Sequence, residues 1–194
     1  MLVEGPTELF LIPAMIEAVH QINLERVGIS VIAIYGVHFD VYAKLFQVGG
    51  LEKKCAIVAD ADLVPFDAGN DFDVAEDAPD LDLLRGDFVE VFAGATTFER
   101  ELVSEHTLQM LIETTRSLGA PQITARLVDG HARLLLGDLD TEQRQALLVD
   151  LGTAVLNTAK RYGKARFAQV AARHAGRCTG LPQYIQDALD WLNA

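Results

Sequence analysis

Five carboxylates stand where the sequence predicts that strands end and helices begin. Glu4 follows the apolar stub "MLV", and Glu8 comes one helical turn later. Asp60 and Asp62 close the apolar run "CAIVADAD", and Glu99 follows another such run, "DFVEVFAG". Clustered carboxylates repel one another unless a cation lies between them, and hard oxygen ligands suit Mg²⁺ or Mn²⁺. Two such ions at one site are typical of phosphodiester cleavage.

Taken singly, most of these carboxylates have another explanation. In the first turn of a helix, Glu8 would stabilise the helix dipole. Asp62 would cap a turn, and Glu99, with Thr97 two residues before it, resembles an ordinary helix start. Residues two apart in an extended chain point to the same side, however, so Asp60 and Asp62 are predicted to converge. The metal hypothesis therefore depends on three strand ends meeting at one place.

The elements that would bring these ends together alternate between strand and helix. "ISVIAIYG", "CAIVADAD" and "DFVEVFAG" are predicted strands, and "TELFLIPAMIEAVHQI" and "FDVYAKLFQVGG" are predicted helices. One continuous helix is expected over "TFERELVSEHTLQMLIETTRSLG". This alternation predicts an α/β fold with a parallel sheet, whose binding sites lie beyond the carboxyl ends of the strands.

The second half of the chain is predicted to be helical. Helices are expected over "TEQRQALLVDLGTAVLNTAKRYG", "KARFAQVAARHAG" and "LPQYIQDALDWLNA". We therefore expect a catalytic α/β domain over residues 1–105 and a helical subdomain over 106–194. Between the predicted strands, residues 63–87 are rich in aspartate and turn-forming residues. Calcium binding is an alternative for them, but the order of ligands does not match an EF-hand loop, which favours a solvated flap.

Charge is distributed unevenly along the 194 residues. The net charge is −12, which by itself argues against a nucleic-acid partner. Residues 60–90 carry eleven acidic side chains against one arginine, whereas six basic residues face two acidic ones from residue 151 onward. There is no apolar run of membrane-spanning length and no signal segment, and the two cysteines are isolated. A cytoplasmic protein without a membrane partner and with buried free cysteines is expected.

Four motifs in this order carry a family resemblance: "LVEGPTELFLIP", "VADAD", "TFEREL" and "GKARFAQVAA". Together they resemble the C-terminal catalytic region of overcoming-lysogenization-defect (OLD) family endonucleases, which contains a Toprim domain. The resemblance implies a Toprim-like parallel sheet flanked by helices, with a C-terminal helical subdomain that contributes a catalytic lysine. The residues that it assigns to the metal ions are Glu4, Glu8, Asp60, Asp62, Thr97 and Glu99. Lys164, Glu4 and Asp60 are the implied catalytic residues, with Arg166 as a competitor for the role of Lys164.

The function implied by the resemblance is DNA endonuclease activity that depends on two Mg²⁺ or Mn²⁺ ions, with water as the nucleophile. The family also carries an N-terminal ABC-type ATPase domain, but no G-x-x-x-x-G-K-[ST] loop occurs in this chain, so a C-terminal part of a longer protein is expected. A helicase is a further candidate partner. The alternatives are a non-catalytic Toprim scaffold for protein and DNA assembly, and a Toprim nuclease that processes RNA.

Overall fold

A four-stranded parallel sheet organises the first half of the protein. The structure is a computed structural model that describes residues 1–36, 38–60, 64–65, 72–73 and 81–193. The strands of this sheet are β1 (Leu2–Val3), β2 (Ile32–Ala33), β3 (Cys55–Asp60) and β6 (Val89–Gly94), in the order β2-β1-β3-β6. All three pairings are parallel, which confirms the predicted fold class. A separate antiparallel pair is formed by β4 (Val64–Pro65) and β5 (Phe72–Asp73).

Helices account for most of the remaining described chain. Their bounds are α1 (Pro6–His20), α2 (Phe39–Ala43), α3 (Phe98–Glu101), α4 (Leu108–Ser117), α5 (Pro121–Leu136), α6 (Thr141–Tyr162), α7 (Lys164–Ala172) and α8 (Gln183–Asn193). Short 3₁₀ turns lie at Glu25–Val27, Leu81–Leu84 and Ala175–Arg177. No helix in the described part of the chain is long and apolar enough to cross a membrane.

The sheet separates two apolar cores, because successive side chains of a strand point to opposite faces. On the larger side, Val3 and Val58 pack with residues of α1 and the C-terminal helices. On the smaller side, Ile57 and Val91 pack with Phe39 of α2. Every helix from α3 to α8 contributes buried residues to the larger core. The helical half therefore packs on one face of the sheet, and the division at residue 105 stays a prediction.

Two predicted elements differ from the observed ones. The single helix expected over 97–119 is wrong, because α3 and α4 are separated by a turn. In that turn the buried Thr107 hydroxyl donates to the Leu102 carbonyl, and it accepts from the Ser104 backbone N–H at 3.1 Å. The apolar spacing continues across the break and conceals it. The strand "ISVIAIYG" is also shorter than expected, since only Ile32 and Ala33 pair with β1.

Helix α5 was not among the predicted elements, although it has a recognisable start and stop. Pro121 stands at its first position and Gly137, in the left-handed region at φ +72°, ends it. Gly130 lies in its interior, where a Cβ would come 2.6 Å from a methyl carbon of Leu151 on α6. The missing side chain at position 130 thus allows α5 to approach α6 closely.

Candidate metal centre

The ends of β1 and β3 are joined by a hydrogen bond that involves a predicted metal ligand. Glu4 directly follows β1, and its Oε1 accepts from the Asp60 backbone N–H at 2.8 Å. Because β1 and β3 are adjacent parallel strands, their carboxyl ends lie at the same edge of the sheet. The two acidic residues are therefore brought together as the parallel arrangement requires, although they lie 56 positions apart.

Glu8 turns back toward the start of its own helix. Its Oε2 accepts from the Gly5 backbone N–H at 3.0 Å, and only 7% of the residue surface is exposed. This contact satisfies one of the amide groups that a helix N-terminus leaves without an intrahelical partner. The capping explanation for Glu8 thus describes its geometry in the structure, while burial keeps the carboxylate beside the strand ends.

Glu99 is the most deeply buried of the described carboxylates in this group. The residue is completely buried, and its two oxygens have different partners. Oε1 accepts from the Thr7 hydroxyl at 3.0 Å, and Oε2 forms an ion pair with Lys164 Nζ at 3.0 Å. Thr7 lies between Glu4 and Glu8 in the first turn of α1, and Lys164 is the first residue of α7. Of the two basic candidates, Lys164 is therefore the one that reaches the acidic cluster, and Arg166 is exposed.

Three further side chains complete this edge of the sheet. Thr97 precedes α3, and its Oγ1 is buried without a hydrogen-bond partner among the described residues. Glu101 accepts through Oε1 from both the backbone N–H and the hydroxyl of Thr96, each at 2.8 Å. Tyr184 of α8 also brings a buried hydroxyl here, which has no partner in the described part of the chain.

Burial and the nearness of other acidic groups raise the pKa values of Asp60 and Glu8. Burial, reinforced by the charges of Glu4, Glu8 and Glu99, raises the pKa of Asp60 to about 9. The Phe98 backbone N–H, which bonds to this carboxyl group, acts in the opposite direction. Burial also raises the pKa of Glu8, and the charge of Glu99 adds to this effect. Asp60 therefore carries a proton at neutral pH in the metal-free protein.

The basic partner and the tyrosine respond to the same negative charge. Burial by itself lowers the pKa of Lys164, but the charges of Glu99, Asp60 and Glu8 outweigh it and raise the pKa overall. Burial raises the pKa of Tyr184 well above its usual value, and the charges of Asp60 and Glu101 add to the shift. Lys164 is thus a stable cation and Tyr184 a stable neutral donor.

The donor set of this edge fits a hard divalent cation. It consists of carboxylate oxygens and the buried Thr97 hydroxyl, which lacks a partner among the described residues. Burial raises the pKa of Asp60 there, and the charges of neighbouring carboxylates add to the shift. No three acidic, histidine or cysteine side chains of the described residues already converge as a ligand group. Asp62, the remaining predicted ligand, lies outside the described residues. Binding of a cation therefore needs local rearrangement of the carboxylate side chains that now pair with other groups of the protein.

Comparisons with known proteins show what this sequence and this fold are similar to. A family profile described as "Overcoming lysogenization defect protein-like, TOPRIM domain" matches residues 1–62. Residues 1–62 therefore resemble the Toprim domain of OLD-like proteins. Toprim domains generally bind divalent metals, and those of OLD proteins are generally nuclease-related. The matched region includes Glu4, Glu8, Asp60 and Asp62, whereas Glu99 and Lys164 lie beyond it.

The resemblance to OLD proteins extends over the whole chain at the level of structure. The C-terminal region of the Burkholderia pseudomallei OLD protein is 28% identical, with a TM-score of 0.63, and the match covers 99% of this chain and 94% of that one. The C-terminal region of the Xanthomonas campestris pv. campestris OLD protein is also 28% identical, with a TM-score of 0.60 and coverage of 98% and 89%. No curated protein matches the chain.

Two residues of this candidate site, Thr7 and Tyr184, were not predicted from the sequence. Thr7 holds a Glu99 oxygen and lies within "VEGPTE", so its place between two predicted ligands was an available signal. Tyr184 had no comparable signal, because it belongs to a helix that is distant in sequence and is surrounded by ordinary core residues.

Proposed function

We propose that this chain is the catalytic module of a metal-dependent DNA endonuclease. The observation that carries the proposal is the hydrogen bond from the Asp60 backbone N–H to Glu4 at the carboxyl edge of the sheet, together with the pairing of Lys164 with the buried Glu99. Glu8 and Glu99 lie close enough for their charges to raise the pKa of Asp60. The Toprim part, residues 1–105, supplies the acidic ligands. The helical part, residues 106–194, supplies the basic residue.

The proposed ligands of two Mg²⁺ or Mn²⁺ ions are Glu4, Glu8, Asp60, Asp62, Thr97 and Glu99. When bound, such a pair supplies an activated water and stabilises the leaving oxygen of a phosphodiester. Asp60 must give up its proton to bind a cation, because only the carboxylate form attracts one. Glu4 keeps the ends of β1 and β3 together through the Asp60 backbone N–H, so it fixes the position of the Asp60 main chain.

Lys164 provides positive charge beside a site that is otherwise acidic. Its ammonium group bonds to Glu99, yet 43% of the side-chain surface remains exposed. A phosphate group that approaches from solvent therefore meets a fixed cation, which favours the negative charge that develops during phosphodiester cleavage. Glu99 restrains the ammonium through Oε2, and Thr7 restrains Glu99 through Oε1.

A cleft of the helical part supports contact with nucleic acid. It has a volume of about 510 Å³ and lies between the start of α5 and the end of α6. Arg126 and Arg161 line it, together with the polar Asn157 and Gln122. Arg161 lies three positions before Lys164 in the chain, so the cleft and the basic residue of the site belong to neighbouring parts of α6 and α7. Non-specific nucleic-acid binding depends chiefly on contacts of basic side chains with phosphates.

Cleavage of supercoiled plasmid with Mn²⁺ tests the proposal. The protein should nick the plasmid with Mn²⁺ and lose this activity with EDTA. Asp60→Asn should reduce nicking to the chelated level, because an amide cannot replace the carboxylate charge. Asp129→Asn, an exposed acid of α5, is the matched control and should retain activity.

Absence of metal-dependent nicking by excess protein would refute the endonuclease and favour the scaffold. Equal nicking by the wild type and Asp60→Asn would refute the assigned site. A structured RNA incubated in parallel distinguishes an RNA-processing nuclease, which would cut the RNA in preference to the plasmid.

A further inference from the structure

A tyrosine from the last helix lies at the same sheet edge as the acidic cluster. The ring of Tyr184 packs against Gly94, the last residue of β6, where a Cβ would come 3.3 Å from two ring carbons. Gly94 is the register partner of Asp60 in the β3–β6 pairing. Since neighbouring strands are about 4.8 Å apart, the ring ends close to the main chain of Asp60.

Helix α8 holds this ring firmly in place. Ile185, Ala188 and Leu189 are buried on the sheet-facing side of the helix. Trp191 packs against Phe92 of β6, with ring centroids 6.2 Å apart. Tyr184 thus belongs to a rigid element, and its approach to the strand end is possible because residue 94 has no side chain.

The hydroxyl of Tyr184 is buried and has no hydrogen-bond partner among the described residues. A buried donor without an acceptor destabilises a fold, so each such group in a native protein calls for an explanation, such as a bound water, an ion or a catalytic role. Among the carboxylates whose charge acts on Tyr184, Asp60 has the strongest effect and Glu101 the next. Oε1 of Glu101 already accepts two hydrogen bonds from Thr96.

We propose that Tyr184 is a positioning residue of the metal centre, whose hydroxyl donates to the Asp60 carboxylate when that group turns to bind a cation. This inference rests on the proposed function, because it requires that Asp60 is a ligand. A carboxylate ligand commonly binds the cation with one oxygen and accepts from an outer partner with the other, and such partners influence metal affinity strongly. Tyr184 supplies this outer partner from the helical half of the chain.

Titration of EDTA-treated and then desalted protein with Mn²⁺ by calorimetry tests the inference without any activity measurement. Tyr184→Phe keeps the ring and removes only the hydroxyl. It should bind Mn²⁺ about tenfold more weakly than the wild type. Its melting temperature in EDTA should equal or exceed that of the wild type, because the hydroxyl has no partner among the described residues. Tyr42→Phe, on the distant helix α2, should change neither quantity.

Each other outcome overturns the inference. If the wild type binds Mn²⁺ and Tyr184→Phe binds it equally tightly, the tyrosine has no part in the site, whereas the proposed metal centre stands. If Tyr184→Phe melts several degrees lower in EDTA, the hydroxyl is paired in the metal-free fold, as a bond to Glu101 would require. If the wild type itself binds no Mn²⁺, the proposed function and this inference fail together.

Discussion

Replacing Lys164 by methionine should lower the free energy of unfolding, because it leaves the buried Glu99 carboxylate without its positively charged partner. Glu99 is fully buried, whereas 43% of the Lys164 side-chain surface is exposed. Removing one partner of a fully buried ion pair costs roughly 3–5 kcal/mol, and an exposed pair contributes about 0–1 kcal/mol. For this half-exposed pair we expect a loss of about 2 kcal/mol in the free energy of unfolding, between these limits. For a chain of this length, this corresponds to a fall of about 4–8 °C in melting temperature.

Thermal unfolding in EDTA measures this loss, and two further variants assign its cause. In the double variant Lys164→Met/Glu99→Gln no unpaired charge remains, so stability should return to within about 1 kcal/mol of the wild type. Lys160→Met, which removes an exposed lysine of α6, is the matched control and should leave the melting temperature unchanged. Added Mn²⁺ should raise the melting temperature of Lys164→Met more than that of the wild type, since a cation beside Glu99 replaces the missing ammonium.

Two results would refute the reasoning about this ion pair. One is an unchanged melting temperature of Lys164→Met, which would mean that water already screens Glu99. The other is a double variant that is no more stable than Lys164→Met, which would mean that lost packing of the lysine stem, and not an unpaired charge, causes the effect.

Two other measurements test the titration and the nucleic-acid contact. Burial raises the folded-state pKa of Asp60 to about 9, so the folded metal-free protein favours the protonated carboxyl group. The stability that this group contributes is complete below its unfolded pKa and is lost as the pH rises through about 9. Mn²⁺ must displace this proton, so calorimetric affinity should rise by up to about tenfold per pH unit between about pH 6 and pH 9, and an affinity independent of pH would contradict the assignment. Arg161→Ala should weaken binding of single- and double-stranded DNA alike and reduce the slope of log affinity against log salt by about 1, as measured by fluorescence anisotropy. An unchanged slope would exclude the arginine from phosphate contact, and Asp129→Asn again serves as the unaffected control.

The local sequence pattern was sufficient to predict strands and helices that are specified by their own residues. The unbroken apolar run of β3 predicted a buried parallel strand, and Asp60 was correctly placed at its end. Helix α6 was predicted from its own residues and its closing glycine. The structure adds a cap at Asp140, whose side chain accepts from the Gln143 backbone N–H at 2.8 Å. The break between α3 and α4 escaped prediction, because a buried side-chain hydroxyl and not the apolar period interrupts the helix there.

The sequence by itself determined the α/β class and a set of acidic residues at strand ends, because the alternation of strands and helices and the placement of charge are local properties. Only the tertiary structure decided which groups meet. It paired Glu99 with Lys164 across 65 positions, added Thr7 to the same carboxylate, and brought Tyr184 of the last helix to the end of β6. These contacts depend on how helices pack on the sheet, and packing is set by the shapes of many buried side chains at once, which no short stretch of sequence contains.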